Sequence, residues 1–218
     1  MGWLRLIFLA LIAKPVARFF TGADVIGAER LPRTGPAIVA ANHNSHVDTL
    51  LLLTIFPVAT MGRLRPAAAA DYFLKDPLIG WFSRNMVGIV PVARGRVTRD
   101  RMAQGEDVLA PAREALANGD IVIVFPEGTR GDASDDMGRL KNGVARLAEA
   151  FPEAPVIPVW IEGAGRVLPK GEMIPVPMNC CILVGEPIRW DGHRTKFMDG
   201  LRDALLALKA EAPPLRWR

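Results

Sequence analysis

Two short segments hold the residues whose types and spacing could do chemistry. The first is Asn42-His43-Asn44-Ser45-His46-Val47-Asp48, directly after the apolar run Ala37-Ile38-Val39-Ala40-Ala41. The second is Phe125-Pro126-Glu127-Gly128-Thr129-Arg130, directly after Ile121-Val122-Ile123-Val124. Short apolar runs bounded by turn residues read as buried strands. Residues just past a strand sit on the loop edge of a sheet, where ligands have access. Imidazole is the side chain best suited to proton transfer near neutral pH. A carboxylate on its far ring nitrogen fixes the tautomer and stabilises the cation that forms. That is the logic of a hydrolytic triad without the protein nucleophile.

Asp48 follows His43 by five residues. On one continuous helix that offset separates the side chains. They meet only if His43 precedes a helix and Asp48 falls in its first turn. Ser45 to Asp48 fits the S-x-x-D capping pattern, which supports such a start. The same pattern also supports a plainer reading, in which Asp48 only caps the helix and His43 is a loop histidine bonded to backbone. His46 suits pairing with Asp48 less well and reads as a packing or orienting residue. The second segment has a plain reading too: Pro126 and Gly128 make a tight turn, and Glu127 pairs locally with Arg130. Proline and glycine alone would satisfy the turn, so the charged residues point to a site for an anionic or hydroxylated ligand. Lys141, beyond the polar loop, could help hold such a ligand, though a solvated lysine is the plainer reading.

These segments need a scaffold. Strands are expected at 37–41, weakly at 65–70, and at 89–92, 121–124, 155–161 and 180–184. Pro91 argues for an irregular or edge position. Helices are expected through 49–55, 78–82, 144–150 and 195–209. Another is expected within 100–117, kinked or split at Pro111 and ended by Asn118-Gly119. The stretch 131–138 is polar and reads as a loop. Strands alternating with helices argue an α/β fold, a mixed central sheet flanked by helices.

The chain has 218 residues, half of them apolar, and a formal net charge of +4. That length suits one domain with a full core. The adjacent Cys180 and Cys181 should point to opposite faces of a strand, so they read as two buried thiols rather than a disulfide. No lysine-rich run or basic–aromatic repeat supports nucleic-acid binding. Basic residues equally attract an anionic leaflet. The N-terminal apolar run from Trp3 to Ala13 is interrupted by Arg5 and closed by Lys14, Pro15 and Arg18. It falls short of the roughly 18 apolar residues of a membrane span, and Lys14-Pro15 is a poor signal-peptide cleavage site. Trp3, Ile7 and Leu11, with Leu4 and Phe8, share i, i+4 spacing, as in an amphipathic interfacial helix. A core helix is the alternative. Residues 1–24 are therefore expected to form a membrane-associating helix and 25–218 the functional domain. Arg216, Trp217 and Arg218 read as a frayed terminus.

The order strand, N-H-x-x-x-x-D, strand with arginine, F-P-E-G-T-R, then V-I-P-V resembles the four motif blocks of the glycerolipid acyltransferase family. The resemblance covers Ala37 to Val159 and implies an O-acyltransferase. It implies that His43 is the general base and Asp48 orients it. It places Arg94, Glu127, Gly128, Thr129 and Arg130 at the acceptor, with the two arginines clamping a phosphate, and gives Pro158 a part in shaping the acyl-donor site. Ala93 departs from the acidic or amide residue that many relatives place before the second-block arginine. His43 would take the proton of an acceptor hydroxyl as that oxygen attacks a thioester carbonyl, with no covalent enzyme intermediate. The implied donor is acyl-CoA or acyl carrier protein, as co-substrate and with no further cofactor. The implied acceptor is a lysophospholipid, 1-acyl-sn-glycerol-3-phosphate by default and a lyso-amino-lipid as the close alternative. The expected location is the cytoplasmic face of a cell membrane. Rival readings fare worse. His43, His46 and Asp48 superficially resemble a metallohydrolase cluster, but only His193 remains to complete it. Gly-x-Ser-x-Gly is absent, against a serine esterase. A non-catalytic lipid-binding module would need no His–Asp pair.

Overall fold

The apolar runs become the strands of one sheet. The computed structural model describes residues 2–45, 47–69, 76–92, 107–129, 137–168 and 174–214. Seven strands line up in the order β1-β7-β6-β2-β5-β3-β4. They are β1 (Asp24–Ile26), β2 (Ala37–Ala41), β3 (Leu64–Ala69), β4 (Val90–Val92), β5 (Ile121–Val124), β6 (Val156–Glu162) and β7 (Cys181–Val184). Every pairing is parallel except β6 with β7, so the sheet is mixed, as expected. Pro91 lies in β4, which among the described residues is an edge strand paired with β3 alone, where a missing N–H costs least.

The helices cover both faces. They are α1 (Gly2–Phe8), α2 (Lys14–Thr21), α3 (Val47–Thr54), α4 (Val58–Met61), α5 (Pro77–Phe82), α6 (Ala110–Ala117), α7 (Gly143–Ala150), α8 (Ala164–Val167) and α9 (Arg194–Glu211). Alternate residues of each strand point to opposite faces, and the core divides accordingly. Ile38, Ala40, Val122 and Val124 pack with α6, α7 and α9. Val39, Ala41, Ile121 and Ile123 pack with α3 and the N-terminal helices. Each fully buried Ile or Val contributes about 1.5–3 kcal/mol. Cys180 and Cys181 fall in opposite clusters and are free. Burial pushes the Cys180 thiol up to about 12, with the nearby Asp48 charge adding to it.

Pro111 sits in the first turn of α6, where its missing N–H has no helical partner to lose. The earlier part of the expected helix, 100–106, lies outside the described residues. Arg5 does more than interrupt an apolar run. It turns inward, with Nη1 donating to Gly62 O (2.8 Å) and Nη2 to Leu64 O (2.7 Å) and Val87 O (2.9 Å). Nε donates to Met86 O at 3.3 Å. Burial lowers its pKa to about 10, so it remains charged at neutral pH. The guanidinium lies against Gly88, whose φ is 78° and whose added Cβ would meet Nη2 at 2.5 Å. Both the backbone and the space require glycine there.

Arg5 thus seats the N-terminal helix inside out. Leu9, Ala13 and Ala17 follow it onto the core, while Leu11 (70% exposed) and Phe19 (74%) face outward with Trp3, Leu4 and Ile7. Phe8, expected on that stripe, is instead half-buried edge-on against Phe82 of α5 (centroids 5.2 Å apart). Replacing Arg5 by Met should destabilise the fold by about 3 kcal/mol in chemical denaturation, because buried carbonyls lose their donors. A loss below roughly 0.5 kcal/mol, the level of an ordinary surface change, would show that the helix is held by other contacts. No described helix is long and apolar enough to cross a membrane.

Candidate active site

β2 and β5 are parallel neighbours, with Ala40 opposite Val124. Their carboxyl ends therefore deliver His43 and the Phe125–Thr129 turn to the same sheet edge. This is the position where open α/β sheets build their sites. β6 closes the other side of β2. Asn42 mimics a strand residue there, its amide Nδ2 donating to Ile161 O (2.9 Å) and its Oδ1 accepting from Ile161 N (2.7 Å). The side chain extends the ladder just beyond β2, holding the chain at the point where it leaves the sheet. Sequence reasoning gave Asn42 no role, because its partner is distant in the chain.

His43 precedes α3 and Asp48 falls in that helix's first turn, the arrangement their spacing requires. Asp48 Oδ2 accepts from His43 Nδ1 at 2.9 Å and from the backbone N–H groups of Asn44 and Ser45, each at 2.7 Å. Facing a carboxylate, Nδ1 must carry the proton, which leaves the Nε2 lone pair to accept one. Asp48 also closes the reciprocal half of a capping box through Ser45 N. Capping and pairing with histidine are thus one structure rather than competing readings. The Ser45 hydroxyl accepts from Val47 N at 3.3 Å and donates to Leu168 O at 2.9 Å. Asp48 is fully buried, and among the described residues its Oδ1 has no hydrogen-bond partner. His43 is 8% exposed.

The second segment folds over the first. The Phe125 ring stacks on the imidazole of His43, with centroids 4.1 Å apart and planes 21° from parallel. Glu127 turns inward; its Oε1 accepts from His43 N at 3.2 Å and its Oε2 from Gly138 N at 2.9 Å. Gly128 has φ +68°, a left-handed position that tolerates glycine best. Thr129 is exposed. Lys141 is held to the turn by its backbone N–H on Pro126 O (2.8 Å). Its ammonium lies so close to Gly128 that an added Cβ would meet Nζ at 2.5 Å. Lys141 is exposed and stands beside the turn. Pro158 is buried mid-strand in β6, opposite Ala40, with its ring against Gly185. His46, Arg94 and Arg130 lie outside the described residues. Among the described residues no cluster of three or more His, Cys, Asp or Glu side chains could hold a metal ion.

The comparisons agree with this geometry. A family model described as Acyltransferase matches residues 22–162, and the chain belongs to the acyltransferase family. It is 30% identical over 171 residues to a chloroplastic 1-acyl-sn-glycerol-3-phosphate acyltransferase from Arabidopsis thaliana, covering 78% of this chain and 44% of that one. It is 27% identical over 230 residues to 1-acyl-sn-glycerol-3-phosphate acyltransferase alpha from Mus musculus, covering 94% and 75%. Its fold is similar to the crystal structure of the 1-acyl-sn-glycerophosphate acyltransferase from Thermotoga maritima. The TM-score is 0.67 and the identity 26%, over 94% of this chain and 80% of that one. The chain spans 40% to 52% of the length of the first three curated relatives it matches.

Proposed function

We propose that this protein transfers an acyl chain from an acyl thioester to the free hydroxyl of a lysophospholipid. The acceptor is 1-acyl-sn-glycerol-3-phosphate, giving phosphatidic acid, and the donor is acyl-CoA or acyl carrier protein with no further cofactor. The observation that carries this reading is the 2.9 Å bond from His43 Nδ1 to Asp48 at a sheet edge shared with the Phe125–Thr129 turn. Nε2 takes the hydroxyl proton as the acceptor oxygen adds to the thioester carbonyl. Collapse of the tetrahedral intermediate then expels the thiolate, which leaves with a proton as the thiol. Asp48 stabilises the imidazolium formed between these steps. Arg94 and Arg130 bind the acceptor phosphate. Lys141, with its ammonium beside Gly128, adds a cation at the turn.

The substrates are lipids, and the outward apolar side chains support attachment to a bilayer, at its cytoplasmic face. They lie on the N-terminal helices and on α5, where Leu78 is 79% exposed. A panel of lyso-acceptors incubated with purified protein and labelled acyl-CoA tests the reading. Transfer should be fastest to 1-acyl-sn-glycerol-3-phosphate, and Lys141→Ala should raise the KM for that acceptor roughly tenfold, a typical loss for one charge-assisted contact. Preference for a phosphate-free lyso-amino-lipid would move the acceptor assignment without touching the base.

A further inference from the structure

The family resemblance assigns Glu127 to the acceptor, yet each of its carboxylate oxygens already accepts from the backbone. The side chain is buried, and the residue is 5% exposed. Oε1 accepts from the backbone N–H of His43, and Oε2 from that of Gly138. The carboxylate already serves two backbone donors, and an acceptor phosphate would meet a like charge there. The neighbouring Phe125 presses on the face of the His43 ring, while Asp48 holds the ring's Nδ1. The catalytic histidine is therefore gripped at its main chain, its ring face and its ring edge, and two of those grips come from one turn.

We infer that Glu127 is a positioning residue. It ties the His43 main chain to the Phe125–Thr129 turn, so that the imidazole enters the gap between Phe125 and Asp48 with Nε2 toward the acceptor. Through Gly138 the same carboxylate fixes the chain that leads to Lys141, so one buried charge registers the base against the acceptor side of the site. The inference rests on the reading of His43 as general base. It differs from an acceptor-binding role in what it predicts. A lost acceptor contact raises KM, whereas a base out of place lowers turnover.

The experiment uses the full chain with 1-acyl-sn-glycerol-3-phosphate and acyl-CoA, in wild type, Glu127→Ala, Glu127→Gln and His43→Ala. Glu127→Ala should lower kcat about 100-fold, the cost of a misplaced catalytic group, with acceptor KM changed less than about twofold. Glu127→Gln keeps one acceptor oxygen for one of the two N–H groups, so its kcat should fall only about tenfold. The low-field proton resonance of the His43 Nδ1–H bond, assigned by its loss in His43→Ala, should broaden or vanish in Glu127→Ala and persist in Glu127→Gln. Should Glu127→Ala fail to fold, the Gln variant still carries the kinetic split. A raised acceptor KM with kcat and the resonance intact would overturn the inference, since Glu127 would then contact the acceptor. Wild-type kinetics in both Glu127 variants would overturn it as well. His43→Ala with undiminished transfer would instead remove the general base itself, a failure of the parent reading that the Glu127 variants cannot mimic.

Discussion

His43→Ala should lose about 10²–10⁴ in kcat, the range that a positioned general base contributes, while binding to lipid vesicles stays at the wild-type level. The fold should survive the change. The ring's losses are its stack on Phe125, about 0.5–1.5 kcal/mol, and one of the three donors to Asp48 Oδ2. The other two donors are backbone N–H groups of Asn44 and Ser45 and remain. The carboxylate therefore keeps its place at the start of α3, and the melting temperature separates lost chemistry from lost structure. Transfer at the wild-type rate in the Ala variant would end the proposal that this ring is the base.

Asp48→Asn should cost about 10²–10³ in kcat, less than the roughly 10⁴ seen where such a substitution in a Ser-His-Asp triad also selects the wrong tautomer. The difference lies in the backbone. The Asn44 and Ser45 N–H groups both aim at Oδ2, so an amide would turn its oxygen to them and continue to accept from His43 Nδ1. The histidine keeps its tautomer and loses only the negative charge that steadies its cation. The amide's NH₂ would then occupy the place of Oδ1, which is buried and has no hydrogen-bond partner among the described residues. Burying that donor unpaired costs about 1–3 kcal/mol. Turnover and thermal stability should fall together in Asp48→Asn, whereas in His43→Ala turnover falls far more than stability. An Asp48→Asn enzyme with unchanged kcat would show that the carboxylate only caps the helix.

The legible parts of this protein were the local ones. The β2 and β5 runs, the α3 start and the His43–Asp48 pair all lie within short stretches whose hydrophobic and capping patterns specify their geometry. Cys180 and Cys181 were readable because strand side chains alternate with period two. What escaped were elements too short to carry a pattern, such as β1 with its three residues and α8 with its four. Proline suits a first helical turn as well as it breaks an interior, and only the observed start of α6 at Ala110 puts Pro111 in a first turn.

By itself, the order of residues determined that an imidazole and a carboxylate would meet at a strand end and that a second strand would present a Pro-Glu-Gly turn. Only the tertiary structure decided that these strands are neighbours, that Glu127 grips the His43 backbone, and that Arg5 faces inward. The reason is distance along the chain. Glu127 reaches a partner 84 residues away, and Arg5 reaches carbonyls 57 to 82 residues away. A buried charge is tolerable only where such remote backbone groups converge on it, and no local pattern records that convergence.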